Sequence, residues 1–356
     1  MSKIISSFTG RELKKLGQVD LTKVKNVTHD DLKNIGFNCQ AFDSAISQMG
    51  VTNGALSGDF LTEYLAGTVR IGTTVRVLDE ILGIATAGNW HDEEIALRVS
   101  QPVGKAELYG DLTNIPFSSY VPSIEKRNIV RFEQGFMVTK LESARQDAYG
   151  FNEMEEKRIS TVESLEIMRE EVGYRGFAST GARIYGLLND PSLPAYKTNL
   201  SDWLNPSTTF AQILADIEGL FSDIEVRSGS RAKESDNMTL VIPTGYRVAL
   251  SKTNPDNQNE TVRSRLNSEF PNMRVISSAE FKGANAGDDS VYLIVDKTDN
   301  DGSTDGGEAI IQVVPTKYMM LGSEQQIKGY VEDATNALAG VFVKRPWLVS
   351  RGSIPA

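Results

Sequence analysis

The sequence predicts an α+β chain with a two-part body, a long projecting strand pair and an N-terminal arm, and three observations carry that reading. Period-2 alternation appears in two runs, Ile95, Leu97, Val99 and then Val130, Phe132, Phe136, Val138, on either side of a long segment rich in Pro, Gly and aromatic residues. From Asn152 the apolar residues recur instead at steps of three or four, as an amphipathic helix requires. Between Met238 and Val314 short strand-like and helix-like stretches alternate with an apolar set of their own, which is how a small second α/β unit reads.

The bulk numbers allow such a body. With 356 residues, 40% of them hydrophobic, the chain buries one or two cores without covalent staples. Cys39 is the only cysteine, so no intrachain disulfide forms, and with only His29 and His91 beside it no multi-cysteine zinc site exists. Met1 to Gly10 has neither a secretory apolar core nor an Arg-rich transit pattern, so cytoplasmic synthesis is expected. No run approaches the roughly 18 apolar residues that cross a bilayer, and no membrane partner is expected.

In chain order, residues 1–67 read as an arm: the stretch to about Asn38 has at most short helices and little core of its own, and from Cys39 to about Gly67 helix-like segments follow, interrupted by Gly50, Gly54 and Gly58. Its first 33 residues hold Lys3, Arg11, Lys14, Lys15, Lys23, Lys25 and Lys33 against Glu12, Asp20, Asp30 and Asp31, a net of +3, on a chain whose overall charge is −10. The tail from Val341 adds Lys344, Arg345 and Arg351 with no acid. Basic ends on an acidic body suit arms that lie on acidic neighbours, although solvated termini match the charge as well. Gly67 to Gly83 turns strand-like through Val69, Ile71, Val75 and Val77.

The two alternating runs come next, flanking a segment punctuated by Pro102, Gly104, Gly110, Pro116 and Pro122 that carries Tyr109, Phe117 and Tyr120. A segment of that length inside a compact domain has a job or a partner. The helix expected over about 152–180 places Ile159, Val162, Leu165, Met168 and Val172 on one face, with Asn152 as cap and Gly173 and Gly176 weakening its last turns. A second amphipathic helix spans about Thr208 to Val226 through Ile213, Leu214, Ile217, Leu220 and Phe221. Strands follow at Thr239–Ile242, Met273–Ile276, Val291–Val295 and Ile310–Val314, with short helices at Gly245–Leu250 and Val262–Phe270. The tail reads as strand again from Ala339 to Val349, with Pro346 marking an edge or bulge.

Enzyme templates each lack a required member. Gly50, Gly54 and Gly58 form neither a dinucleotide fingerprint nor a phosphate loop. Ser230-Arg231-Ala232-Lys233 has the spacing of an acylating serine pair but no Lys-Thr-Gly partner. His91-Asp92-Glu93-Glu94 reads as a solvated charge cluster at the start of a strand. Asp299, Asp301, Ser303 and Asp305 alternate like the first ligands of a calcium loop, yet the glycine and glutamate that complete one are missing, which leaves a hairpin of solvating residues or a weak calcium site. No catalytic, cofactor or metal residue is assigned.

The order of arm, long strand pair, long helix, small α/β unit and returning strand resembles the Hong Kong 97-type capsid fold of tailed bacteriophages over nearly the whole chain. Phe136-Met137-Val138-Thr139-Lys140-Leu141-Glu142-Ser143-Ala144-Arg145 resembles the strand entering that family's spine helix. Glu166 to Phe177, followed by Gly186-Leu187-Leu188-Asn189-Asp190-Pro191, resembles the helix and its exit. The resemblance implies an arm over 1–67, a peripheral domain from 68–92, 128–236 and 315–356, an extended loop over 93–127, and an axial domain over 237–314. It further implies a structural major capsid protein, not an enzyme, that needs no cofactor and assembles into pentamers and hexamers of an icosahedral shell in the virion. The subunit interface would use Lys105, Glu107, Tyr109, Phe117 and Tyr120 of the loop and Arg11, Leu13 and Leu16 of the arm. Implied partners are other copies of the chain, a portal, non-specifically contacted double-stranded DNA and, because the arm is short, a separate scaffolding protein. An encapsulin-type compartment with the same fold is the alternative, and a cytoplasmic α/β enzyme stands behind it.

Overall fold

The computed structural model describes residues 76–111, 115–149, 153–178, 183–257, 259–299 and 301–355. The arm, the strand expected over Val69–Val75 and the cap at Asn152 lie outside these residues. Val77 is no strand residue but the cap of a short helix, α1 (Leu78–Leu82), whose Leu78 and Ile81 are buried. Two strand residues, β1 (Ile84–Ala85), follow.

The chain then runs β2 (Glu94–Val103), β3 (Ser119–Asn128), β4 (Val130–Thr139), α2 (Lys140–Tyr149) and α3 (Glu153–Arg175). α4 (Phe210–Ser228) precedes β5 (Met238–Pro243), a 3-10 turn at Tyr246–Ser251, α5 (Val262–Glu269), β6 (Met273–Ser278) and β7 (Asp289–Val295). The last elements are β8 (Ile310–Val313), β9 (Thr316–Gln326), β10 (Gly329–Leu338), β11 (Val341–Val343) and β12 (Val349–Ile354).

α3 stops short of the expected 180, because Gly176, at φ +69, ends it where only a weakening of the last turns was expected. Its packed face is less apolar than the expected stripe. Leu165 and Val172 are buried with Thr161 and Arg169, whereas Ile159, Val162 and Met168 are half-buried. Arg169 tolerates that position because Asp79 of α1 takes it bidentately, at 2.5 and 2.8 Å, and Glu166 accepts a third bond at 2.6 Å. Gly173 does not weaken the helix but lets it meet α1: a Cβ there would stand 2.1 Å from Leu78 Cδ2. α4 starts on a capping box, Thr209 with Gln212, and buries Phe210, Ile213, Ile217, Leu220, Phe221 and Ile224.

Three sheets and a hairpin organise the rest. The strand orders are β12-β7-β5-β6, β4-β10-β9, β1-β8-β11 and β2-β3. Two of these pairings change the expected organisation. The return partner of β2 is β3, through Glu94↔Asn128 to Val103↔Ser119, while β4 pairs with β10 in a separate sheet. The expected two-stranded loop therefore closes within itself before β4 begins. The hairpin β9–β10 was not expected: β9, TKYMMLGSEQQ, has no clean alternation to announce it.

The tail also divides differently. Pro346–Leu348 is a 3-10 turn, and β12 after it pairs with β7, while α4 packs on β12 and α5. Residues 349–354 thus complete the four-stranded sheet of 238–295, with which the largest apolar cluster is built. No helix among the described residues is long and apolar enough to cross a membrane.

Candidate assembly surface

Antiparallel register decides what each face of the β2–β3 hairpin offers, because directly opposed residues share a face. One face carries Ile95 opposite Arg127, Leu97 opposite Glu125, Val99 opposite Ser123, Gln101 opposite Val121 and Val103 opposite Ser119. The other carries Glu94 and Asn128, Ala96 and Lys126, Arg98 and Ile124, Ser100 and Pro122, then Pro102 and Tyr120.

At the stem the first face is covered. Ile95 and Leu97 pack on a cluster of Ile129, Val313, Ala337, Ala339 and Phe342. Beyond Leu97 the same apolar stripe continues uncovered through Val99, Val103 and Val121, and Ile124 is exposed on the opposite face. At the tip Leu108 is 95% exposed, Phe117 89% and Tyr109 87%. Ile115 and Tyr120 are exposed as well. Among the described residues, nine large apolar side chains therefore stand in solvent on one hairpin.

The stem is gripped from both strands. Arg131, in β4, donates to the carbonyls of Trp90 and Asp92 at 2.6 Å each, which holds the chain entering β2. Asn128 accepts from the Arg183 amide at 3.0 Å, and the Ile129 amide bonds Glu93 O at 2.9 Å. A second exposed edge is β9, where Met320 and Leu321 are uncovered, with Ile327 beyond it at the turn into β10.

Residues 48–352 match the family model of the Pa193 gp26 major capsid protein. The chain belongs to that family.

It is a structural capsid protein of a tailed phage, with the Hong Kong 97-type fold that the solved capsids similar to it share. The capsid of the Myoviridae phage XM1 superposes with a TM-score of 0.68 at 14% identity, over 84% of this chain and 99% of that one. The capsid of a native GTA particle follows at 0.55 and 11% identity, over 86% of this chain and 100% of that one. For the capsid of cyanophage P-SCSP1u the values are 0.51 and 11%, over 85% and 96%. No curated protein matches the sequence.

In this capsid protein the loop residues singled out from sequence fall together. Lys105, Glu107, Tyr109 and Phe117 lie exposed in the tip, and Tyr120 one residue inside β3. Arg11, Leu13 and Leu16 lie outside the described residues. The apolar stripe Val99, Val103 and Val121 was not singled out, although Val99 has the parity of Ile95 and Leu97 and the stripe is their continuation.

The Asp-rich segment is no open cation loop. Arg345 fills it, donating to Asp301 at 2.5 Å, to both oxygens of Asp305 at 2.6 and 3.1 Å and to Glu308 O at 2.6 Å. Among the described residues no group of three or more His, Cys, Asp or Glu is arranged to hold a metal. His91 is exposed beside Asp92, and Lys126 pairs with Glu94 at 2.7 Å.

Proposed function

We propose that the chain tiles with copies of itself into the pentamers and hexamers of an icosahedral shell, with the β2–β3 hairpin laid over an adjacent subunit. The hairpin carries this reading. A two-stranded ribbon is marginal in water on its own, and apolar side chains on both its faces and its tip have no cover among the described residues. At about 25 cal/mol per Å², covering side chains of this size contributes roughly 1.5–3 kcal/mol each, which makes the neighbour worth binding. Interlocking obligate contacts of this kind run above roughly 2,000 Å².

In this reading the segments 68–92, 128–236 and 315–356 form the peripheral domain, except that β12 reaches back to complete the sheet of the axial domain at 237–314; 93–127 is the extended loop, and the 1–67 arm ties subunits together. Lys105, Glu107, Tyr109, Phe117 and Tyr120 meet the neighbour, as do Arg11, Leu13 and Leu16 of the arm. The further partners are a separate scaffolding protein, a portal and double-stranded DNA contacted without sequence preference, and assembly takes place in the host cytoplasm. The overall negative charge supports the last contact being loose, since phosphate binding needs clustered Lys and Arg.

Negative-stain electron microscopy of the protein, expressed with and without its neighbouring genes, tests the reading. Closed shells, rings of five or six, or tubes are the expected result. Uniform monomers under all conditions overturn it.

A further inference from the structure

Among the described residues, what orients the hairpin lies at its stem, and one side chain there differs from the rest. Arg127, in β3, is 4% exposed, on the face that meets the body. Its Nη2 donates to Asp190 Oδ2 at 3.0 Å and stands 2.5 Å from Glu125 Oε1 in an ion pair. The Asp190 carboxylate is itself fully buried, and its other oxygen accepts from the Ser192 amide at 2.9 Å, so it is fixed by its own turn. The guanidinium lies 4.9 Å from the Tyr185 ring centroid and 5.2 Å from that of Phe342. One hydrogen bond to the body, an ion pair along β3 and two ring planes thus set the position of one planar group, whose Nε is buried without a hydrogen-bond partner.

The other large contact at the stem is apolar. Ile95 and Leu97 rest on Phe342 and its neighbours, which holds the hairpin down but by itself leaves its angle loose, because apolar contact is non-directional, while the hydrogen bonds at Arg131, Asn128 and Ile129 fix only the ends of its strands. Angle matters at this length. Ten residues per strand at about 3.4 Å each reach about 34 Å, so a tilt of roughly 5° at the stem moves the tip by about 3 Å. A gap of even 0.5–1 Å removes a quarter to a half of a contact's dispersion energy.

We infer that Arg127, held by Asp190, is the positioning residue that sets the direction of the hairpin and, through it, the angle between neighbouring subunits and the uniformity of the shell. The inference rests on the assembly reading above. It concerns neither the hairpin's own contacts nor the fold of the subunit.

The test compares the wild type, the double variant R127M/D190N, which removes both buried charges at nearly constant volume, and R127K, which keeps the charge and loses the planar fork. Particle diameters are read by electron microscopy, and amide exchange over Glu94–Leu97 and Lys126–Ile129 by mass spectrometry. The double variant should exchange about tenfold faster in the stem and yield open sheets or shells of mixed diameter, with R127K between it and the wild type. Wild-type diameters from a double variant with a fast-exchanging stem overturn the inference, since Arg127 then only stabilises the stem. Should the double variant be insoluble, R127K decides: mixed diameters support the inference and uniform shells overturn it. A wild type that forms no shells removes the assembly reading, while unchanged stem exchange in the double variant overturns the anchor separately.

Discussion

Arg345 shows how much one side chain organises in this subunit. The Asp-Gly-Ser segment between β7 and β8 has a polar composition, yet its carboxylates converge on a guanidinium only 5% exposed, and Lys344 adds a second cation 3.3 Å from Asp305. Hydrogen bonds from Arg345 hold the Asp305 carboxyl well below the ordinary range, against the upward push of burial. For Asp301 burial pushes upward most strongly, yet the Arg345 bond and the Ser303 amide leave it lowered. Since the folded-state values lie below the unfolded ones, this stabilisation is complete above about pH 4–5 and drains away as pH falls through the folded values. R345M should cost about 3 kcal/mol in urea denaturation at pH 7, and its stability should fall less steeply than the wild type's below about pH 4. Equal slopes for the two proteins would remove the clamp. Gly173→Ala sets two effects against each other. Alanine adds about 1 kcal/mol of helix propensity, but its Cβ meets the buried Leu78 at 2.1 Å and Gln312 Nε2 at 2.9 Å. Overpacking wins, with a net loss of about 1–2 kcal/mol expected in the same assay; a more stable variant would show that α1 yields easily.

At the scale of elements, the hairpin is separable from the body. Its own register supplies the way to remove it: Gln101 and Val121 are cross-strand partners, so replacing residues 102–120 with Asn-Gly joins them through a two-residue type I′ turn. Ile95, Leu97 and the Arg127 anchor keep their contacts. The shortened subunit should keep the wild-type far-UV circular dichroism and a cooperative unfolding transition, yet form no closed shells. Shells from it would show that contact to lie elsewhere, with the β9 edge as the next surface to probe.

For the whole molecule, the contrast is between a body with its own core and a hairpin with exposed apolar side chains. The cluster around β12-β7-β5-β6, with α4 and α5, buries fully such large side chains as Trp203, Tyr246, Phe281 and Tyr292. That body should fold without assembly. In the proposed assembly the exposed hairpin residues gain cover from neighbouring copies, so binding between copies would add to stability by mass action. In scanning calorimetry assembled particles should unfold at a clearly higher temperature than the short-hairpin subunit, which should match unassembled wild type. Identical transitions for particles and free subunits would mean that the contacts between copies are slight.

Much of this was legible in the chain itself, for a physical reason. The α+β character, α3, α4, β5 to β8 and the exposed aromatic tip follow from local periodicity and turn chemistry, and a period of 2 or 3.6 is written into neighbouring residues. What partners what is not local. That β3 rather than β4 returns along β2, and that β12 completes the sheet of β5 to β7, depends on loop paths spanning many residues. Arg169 reads as a surface charge until Asp79, ninety positions away, comes beside it, and Arg127 until Asp190 does. Buried charges of this kind are invisible to a hydrophobic pattern, because what permits their burial is a partner that only the folded chain brings near.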